Sequence, residues 1–475
     1  MDARLVEALR AIVGARGLIV DPTLRKPYES DGLALLRELP DLVLLPTSTD
    51  ELARCMKLLA EHGVPVVARG AGTGLSGGAT PVKRGVVVGT ARMRAILELD
   101  VEDRFARVQA GVVNADLSLA CAPHGLYYAP DPSSQRACTI GGNVAENSGG
   151  PHCFRHGTTT RHVLGLEIVT ADGDVLDLSA PAVDPIGYDL VGLFVGSEGM
   201  FGIATEITVR LLPIPAVVET ALAIFRDLDP ACEAVSEIIA ARLEPSALEI
   251  LDKLTIEAVE QSVLRAGYPA DAEAVLLVEA EGSAVEVERT LRAAQAIVLR
   301  HGAIEVRRGK SEGERAKLWA GRKGAFGAMG RIAPDLYVAD VVVPRTKLAE
   351  LVRFATRTCR ERGLKIANVF HAGDGNLHPN ICYDRRDADE TRRVLEAGRE
   401  IMQACVAAGG SLTGEHGVGL EKLDSMELVF SPADLAAMCR ARDAWDPERR
   451  MNPGKLIPVH ACIETRGRAR PAFAP

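Results

Sequence analysis

The segment His371-Ala-Gly-Asp-Gly-Asn-Leu-His378 leaves the chain few folds to choose from. Asp374-Gly375 is the dipeptide pair that most favours a two-residue reversal between antiparallel strands, and apolar runs flank it at 364–370 and 379–383. Folding about Asp374-Gly375 would set Gly373 opposite Asn376, Ala372 opposite Leu377 and His371 opposite His378. The two imidazoles would then form a cross-strand pair with Cβ atoms about 4.5–5.5 Å apart. A second Gly-flanked loop, Gly414-Glu-His-Gly417, follows an apolar helix near 394–408. Two histidines and a carboxylate are ligand types of a catalytic divalent metal that keeps positions open for substrate. His371, His378 and Glu415 are therefore candidate ligands for a metal, zinc or manganese, and His416 remains as a base, since imidazole titrates near neutrality.

A chain of 475 residues exceeds what one hydrophobic core usually holds, so two or more domains are expected. The net charge of −9 argues against a nucleic-acid partner, which calls for a basic stripe. Ten cysteines are scattered, the nearest two being Cys138 and Cys153, so neither a CxxC metal site nor the thiolates of an iron–sulfur cluster can be read from their spacing. The N-terminus lacks the basic and apolar regions of an export signal, and no apolar run is long enough to span a bilayer. The expected location is the cytoplasm.

Arg69-Gly-Ala-Gly-Thr-Gly-Leu-Ser-Gly-Gly78 contains Gly72-x-Gly74-x-x-Gly77, the spacing of the dinucleotide fingerprint. That fingerprint must open into a helix whose N-terminus carries the pyrophosphate. Here Pro81 and the strand-like Gly85-Val-Val-Val-Gly89 follow, which excludes a Rossmann unit. Five glycines in ten residues still let main-chain N–H groups crowd round an anionic diphosphate without a helix dipole. Residues 129–150 read as a long irregular loop rich in Gly, Asn, Ser and Pro, the lining an extended polar cofactor needs. Gly196-Ser-Glu-Gly199 is a third such loop. From 217 to about 410, strands alternate with helices in an α+β pattern of antiparallel strands with helices on one face. No internal repeat is visible.

Taken together, 69–78, 130–150, 187–202, 371–378 and 414–417 resemble the flavin-linked D-2-hydroxy acid dehydrogenases of the vanillyl-alcohol-oxidase (PCMH-type) fold. The glycolate oxidase FAD-subunit branch is the most similar, with D-lactate and D-2-hydroxyglutarate dehydrogenases as relatives, and the likeness covers about 20–458. The resemblance implies an α+β protein with a two-subdomain FAD-binding domain at 1–215. A ferredoxin-like α+β cap at 216–410 would carry the metal hairpin, and 411–458 would return to the FAD domain. The composition of 459–475 suggests a disordered tail.

By the same resemblance, Arg69, Gly70, Ala71, Gly72, Thr73, Gly74, Leu75 and Ser76 hold the FAD diphosphate. Pro130, Asp131, Thr139, Gly142, Asn143, Asn147, Gly149, Glu198, Gly199 and Ile203 line the rest of the cofactor, and Asn452 approaches the flavin. Thr73 stands where covalent relatives carry a histidine, so FAD is expected to be dissociable. Arg322 is implied as the clamp on a substrate carboxylate, the planar fork suiting that role, and Asn380 as a substrate-contacting amide. Phe326 and Val338 stand where the 2-hydroxyglutarate branch has polar side chains, which favours a short monocarboxylate such as glycolate or D-lactate. Electrons would pass to an iron–sulfur partner subunit or another acceptor, with association at the inner membrane only through that partner. The rival readings are a flavin-free metallohydrolase, a non-redox flavoenzyme of the same fold and a catalytically silent flavin-binding subunit.

Overall fold

The computed structural model describes residues 1–179, 187–263 and 265–458; the 459–475 tail expected to be disordered lies outside them. The described residues form two compact units. One comprises Met1–Gly149, Thr158–Ile214 and the chain from Glu415 onward, the other Gly150–Gly157 and Pro215–Gly414.

In the first unit, Leu18–Ile19 (β1), Leu42–Leu44 (β2), Val66–Arg69 (β3) and Val86–Gly89 (β4) form a sheet in the order β1-β2-β4-β3. β4 lies parallel to both β2 and β3. Val86, Val87 and Val88 are fully buried, as expected where parallel strands are covered on both faces. Thr49–Glu61 (α1), which Ser48 caps by accepting from the Glu51 N–H, joins β2 to β3. The link from β3 to β4 is the glycine-rich loop, with no helix in it, so the Rossmann reading is excluded in the fold as in the sequence. A second, five-stranded antiparallel sheet is built from Ile96–Asp100, Phe105–Gln109, Val163–Val169, Val175–Asp177 and Ile203–Arg210.

The reading of 129–150 as irregular throughout is corrected. Ile140–Glu146 (α2) is helical, capped by Thr139 and ended by Asn147 in the left-handed region. Its sequence, Ile-Gly-Gly-Asn-Val-Ala-Glu, is too short and glycine-rich to show a period. Tertiary contact overrides propensity here: a Cβ on Gly141 would lie 2.7 Å from the Ala110 Cβ.

The second unit is an eight-stranded antiparallel sheet with helices. Val217–Phe225 (β5), Ala247–Asp252 (β6), Ala274–Gly282 (β7) and Glu305–Gly309 (β8) are followed by Asp335–Val338 (β9), Lys365–His371 (β10) and Asn376–Tyr383 (β11). Their order is β8-β5-β7-β6-β10-β11-β9, with Val341–Val342 pairing β11 off this path. With Leu228–Ala240 (α3) after β5 and Ala284–Arg300 (α4) after β7, the first four strands make a split βαβ module of ferredoxin-like topology. β9, Leu348–Glu361 (α5), β10, β11 and Ala388–Ala407 (α6) repeat its first three strands, and the two copies join edge to edge through β6 and β10. This repeat lies in the topology and not in the residues, which is why the sequence does not show it.

Between the two modules runs Glu312–Met329 (α7 here), opened by the Ser311/Glu314 capping box. Its Trp319 donates from Nε1 to Glu279 Oε2 at 2.7 Å, and Thr220 Oγ1 donates to the same oxygen at 2.5 Å. His152 Nε2 lies 2.9 Å from Glu279 Oε1. Burial alone would raise the Glu279 carboxyl, but the hydrogen bond and charge of His152, the Thr220 hydroxyl and the Arg315 charge outweigh it and hold it down to about 2. A depressed folded-state value contributes stability that is present above the ordinary carboxylate range and lost as pH falls toward 2. The expected loss is about 3 kcal/mol. Urea unfolding followed from pH 5 to pH 2 should show it in the wild type and much less of it in Glu279→Gln; equal acid slopes would remove Glu279 from the transition.

Candidate active site

The hairpin forms, with a corrected register. His371 pairs with Asn376, Phe370 with Leu377 and Val369 with His378, so His371 does not face His378 and the reversal is the four-residue loop 372–375. Gly375 has φ +75, and a Cβ there would strike the Val343 carbonyl. The neighbouring strand takes part in the shift: the Gly373 N–H donates to Leu248 O at 3.3 Å, drawing Gly373 out of the hairpin ladder. A slip of two residues keeps every side chain on its own face. His371 and His378 therefore remain together as diagonal neighbours, with ring centroids 5.1 Å apart and planes at 89°. Each offers a ligand nitrogen within 4.8 Å of the other's, and both rings are buried.

Two carboxylates that the sequence reading missed stand behind these rings. Glu249 on β6 is fully buried and accepts from His371 Nδ1 at 2.7 Å and from Arg322 Nε at 2.6 Å. Burial would raise its carboxyl, but the charges of His371 and Arg322 and their hydrogen bonds bring it below the usual range. Asp340, also fully buried, lies 3.7 Å from His378 Nδ1 and accepts from Thr413 Oγ1 at 2.7 Å and the Gly414 N–H at 2.9 Å. Glu415 and His416 are the next residues along the chain. A signal for Glu249 was available: a lone acid inside Ala-Leu-Glu-Ile-Leu, an otherwise apolar strand, must be paired if the strand is buried. Asn380 donates from Nδ2 to Ala367 O at 3.0 Å and His378 O at 2.8 Å, while its Oδ1 is buried without a hydrogen bond among the described residues. Val338 is buried and Phe326 is 51% exposed.

In the first unit, the glycine-rich loop has the properties of an anion cradle. Among the described residues, no main-chain N–H from Ala71 through Thr73, Gly74 and Leu75 to Gly78 donates a hydrogen bond. Those of Ser76, Gly77 and Gly78 belong to buried residues, and buried N–H groups are rarely left unpaired. A Cβ on Gly70 would lie 2.5 Å from Thr139 Oγ1, and one on Gly72 would strike the Arg69 guanidinium, so the backbone alone fits there. Arg69 itself turns back to donate to Ser30 O at 2.7 Å and Pro27 O at 3.3 Å.

The other proposed cofactor residues divide into two sets. Around α2, Thr139 Oγ1 accepts from the Gly142 N–H, Asn143 Oδ1 and Pro130 O accept from Asn114 Nδ2, and Asn147 Oδ1 accepts from the Thr160 N–H. Gly149 follows, and Asp131 lies half-buried upstream. Around 198–203, Glu198 and Gly199 both adopt positive φ, and Ile203 is packed into a hydrophobic core. Glu198 accepts from the Val418 and Gly419 N–H groups at 2.7 Å each. Asn452 is anchored, donating to Gly78 O at 3.0 Å and Glu198 O at 2.5 Å. Lys455, which the sequence reading did not single out, donates to Gly78 O, Thr80 O and Asn452 Oδ1; burial lowers its ammonium to about 7 against the pull of Asp31, Glu198 and Glu146.

A family profile described as FAD linked oxidases, C-terminal domain, matches 214–456, and an FAD binding domain profile matches 40–179. The glycolate oxidase subunit GlcD of Escherichia coli (strain K12) is 47% identical over 439 residues, 92% of this chain and 88% of that protein. The chain belongs to the FAD-linked oxidases. This family member is an FAD-dependent oxidoreductase. Bacillus subtilis GlcD is 40% identical, covering 91% of this chain and 92% of its own. A D-lactate dehydrogenase of Archaeoglobus fulgidus is 33% identical, covering 88% and 91%. The fold is that of p-cresol methylhydroxylase, matched with a TM-score of 0.81 at 19% identity over 96% of this chain and 97% of that one. In this FAD-linked oxidase, the unengaged amides of the glycine-rich loop fit the diphosphate of FAD. No helix among the described residues is long and apolar enough to cross a membrane.

Proposed function

We propose that this FAD-linked oxidase converts a small D-2-hydroxy acid, glycolate or D-lactate, into the 2-oxo acid. The observation that carries the reading is the Glu249-centred arrangement, in which a buried imidazole of a histidine pair and a guanidinium share one carboxylate. Glycolate oxidase subunits and D-lactate dehydrogenases among the relatives supply the substrate class. The unit of Met1–Gly149, Thr158–Ile214 and the chain from Glu415 is the FAD-binding part, holding the cofactor non-covalently, and the unit of Gly150–Gly157 and Pro215–Gly414 recognises the substrate.

Arg322, its Nε committed to Glu249, presents the rest of its fork to the substrate carboxylate. Asn380 is the substrate-contacting amide, with its Oδ1 left to meet the substrate. His371, His378 and Glu415 would hold a divalent metal, zinc or manganese, which would supply Lewis-acid chemistry toward the substrate hydroxyl. His416 takes the hydroxyl proton on a ring nitrogen. Bound FAD supplies the hydride acceptor. Phe326 and Val338 offer no charge to a second carboxylate, which selects a short monocarboxylate. Turnover needs an external electron acceptor, an iron–sulfur partner subunit or a soluble carrier, and the protein works in the cytoplasm or at the inner membrane through that partner.

The purified protein should show flavin absorption that bleaches when glycolate or D-lactate is added anaerobically, and L-lactate should not bleach it. Absence of flavin bands would favour a metallohydrolase. Flavin bands that no D-2-hydroxy acid bleaches would remove the dehydrogenase reading.

A further inference from the structure

Glu249 is not among the residues that bind or react in the scheme above, yet it touches two that do. It sits on β6 directly opposite His371 on β10, between the buried Leu248 and Ile250. Among the described residues each of its oxygens has one hydrogen-bond partner: Oε1 faces His371 Nδ1 at 2.7 Å, and Oε2 accepts from Arg322 Nε at 2.6 Å. A carboxylate taken wholly out of water is tolerated only when such partners compensate it. The partners are held in turn. β6 and β10 are laddered strands, and α7, which carries Arg322, packs closely enough that a Cβ on Gly321 would strike the Tyr268 hydroxyl.

We propose that Glu249 is a positioning residue shared by the two recognition elements, fixing the ring and tautomer of His371 for metal binding and aiming the Arg322 fork at the substrate carboxylate. This rests on the functional reading given above. A histidine that donates from Nδ1 to a carboxylate carries its lone pair on Nε2, and carboxylates behind ligating imidazoles raise their basicity and fix their orientation. Here the same carboxylate fixes a guanidinium, so metal affinity and carboxylate recognition depend on one group.

The substitution Glu249→Gln keeps the volume and exposes the dependence. A primary amide has one acceptor oxygen and one NH2 group. Turned one way, its NH2 meets the Arg322 Nε–H, donor against donor. Turned the other way, it meets His371 Nδ1 and forces the ring proton onto Nε2, the nitrogen meant for the metal.

The test uses the full-length flavoprotein. Zinc affinity is measured by chelator competition, KM for glycolate and D-lactate by steady-state kinetics, and the imidazole tautomer by 15N NMR of metal-free protein. Glu249→Gln is expected either to weaken zinc binding about 10–100-fold or to raise KM at least about tenfold, the loss of one charge-assisted hydrogen bond, according to which way the amide turns, and Glu249→Leu is expected to do both. Arg322→Lys should raise KM while leaving zinc affinity alone. Zinc affinity and KM both within twofold of wild type in Glu249→Gln would overturn the proposal, and in Glu249→Leu, which removes both acceptors, loss of one without the other would overturn the shared role. The wild-type spectrum needs no variant to fold: His371 protonated on Nε2 rather than Nδ1 also overturns it. Unchanged zinc content in His371→Ala would instead refute the ligand assignment of the functional reading, and the proposal with it, whereas an emptied site in His371→Ala beside an unaffected Glu249→Gln defeats this proposal alone.

Discussion

Replacing His416 with alanine is expected to lower kcat by about 10²–10⁴-fold, the usual contribution of a positioned general base, while the bound flavin keeps its absorption spectrum. The backbone that delivers this imidazole is over-determined. Gly417 has φ +83, and a Cβ on it would lie 2.6 Å from a Glu146 oxygen and 2.8 Å from a Glu198 oxygen. Glu198 then receives the next two N–H groups, those of Val418 and Gly419. Residues 417–419 are thus pinned against two buried carboxylates, and removing the side chain of His416 leaves that framework intact. Rapid mixing with D-lactate under anaerobic conditions measures the effect as the rate of flavin bleaching. Bleaching within tenfold of wild type would take His416 out of the base role.

The double variant His371→Ala/His378→Ala should lose its metal and, with it, several kcal/mol of transition-state stabilisation, about 10³-fold or more in kcat/KM. The two rings lie on the same face of β10 and β11, 5.1 Å apart, with carboxylates behind both. Removing them takes away two ligands at once and leaves Glu249 paired only with Arg322. Metal analysis after dialysis, compared with flavin content of the same sample, reads the result. A full complement of metal in the double variant would refute both ligands, and loss of flavin in step with metal would point to a folding defect instead.

Much of the candidate site was legible because its elements are local. Gly77 and Gly72 adopt positive φ within a loop that no helix follows, and Asp374-Gly375 does mark a reversal with Gly375 at positive φ. The hairpin register was misread because a two-residue Asp-Gly turn takes account of two strands only. Here β6 lies alongside β10, and Leu248 O takes the Gly373 N–H. α2 was missed because a seven-residue segment with two glycines has too little periodicity to show; Thr139 caps it, and the absence of a side chain at Gly141 lets it lie against Ala110.

The sequence alone determined the chemistry available to this chain: a main-chain cradle rich in glycine, a pair of histidines on one face of a hairpin, and a Glu-His dipeptide between glycines. It could do so because turn conformation and strand alternation are set by residues close along the chain. Only the tertiary structure decided what stands behind them, namely that Glu249 serves both His371 and Arg322, that Asp340 holds Gly414, and that Lys455 is buried on the Gly78 and Thr80 carbonyls. Those partners are 73 or more residues apart in each case, and a buried charge takes its partner from whichever strand or helix packs beside it, which spacing along the chain does not encode.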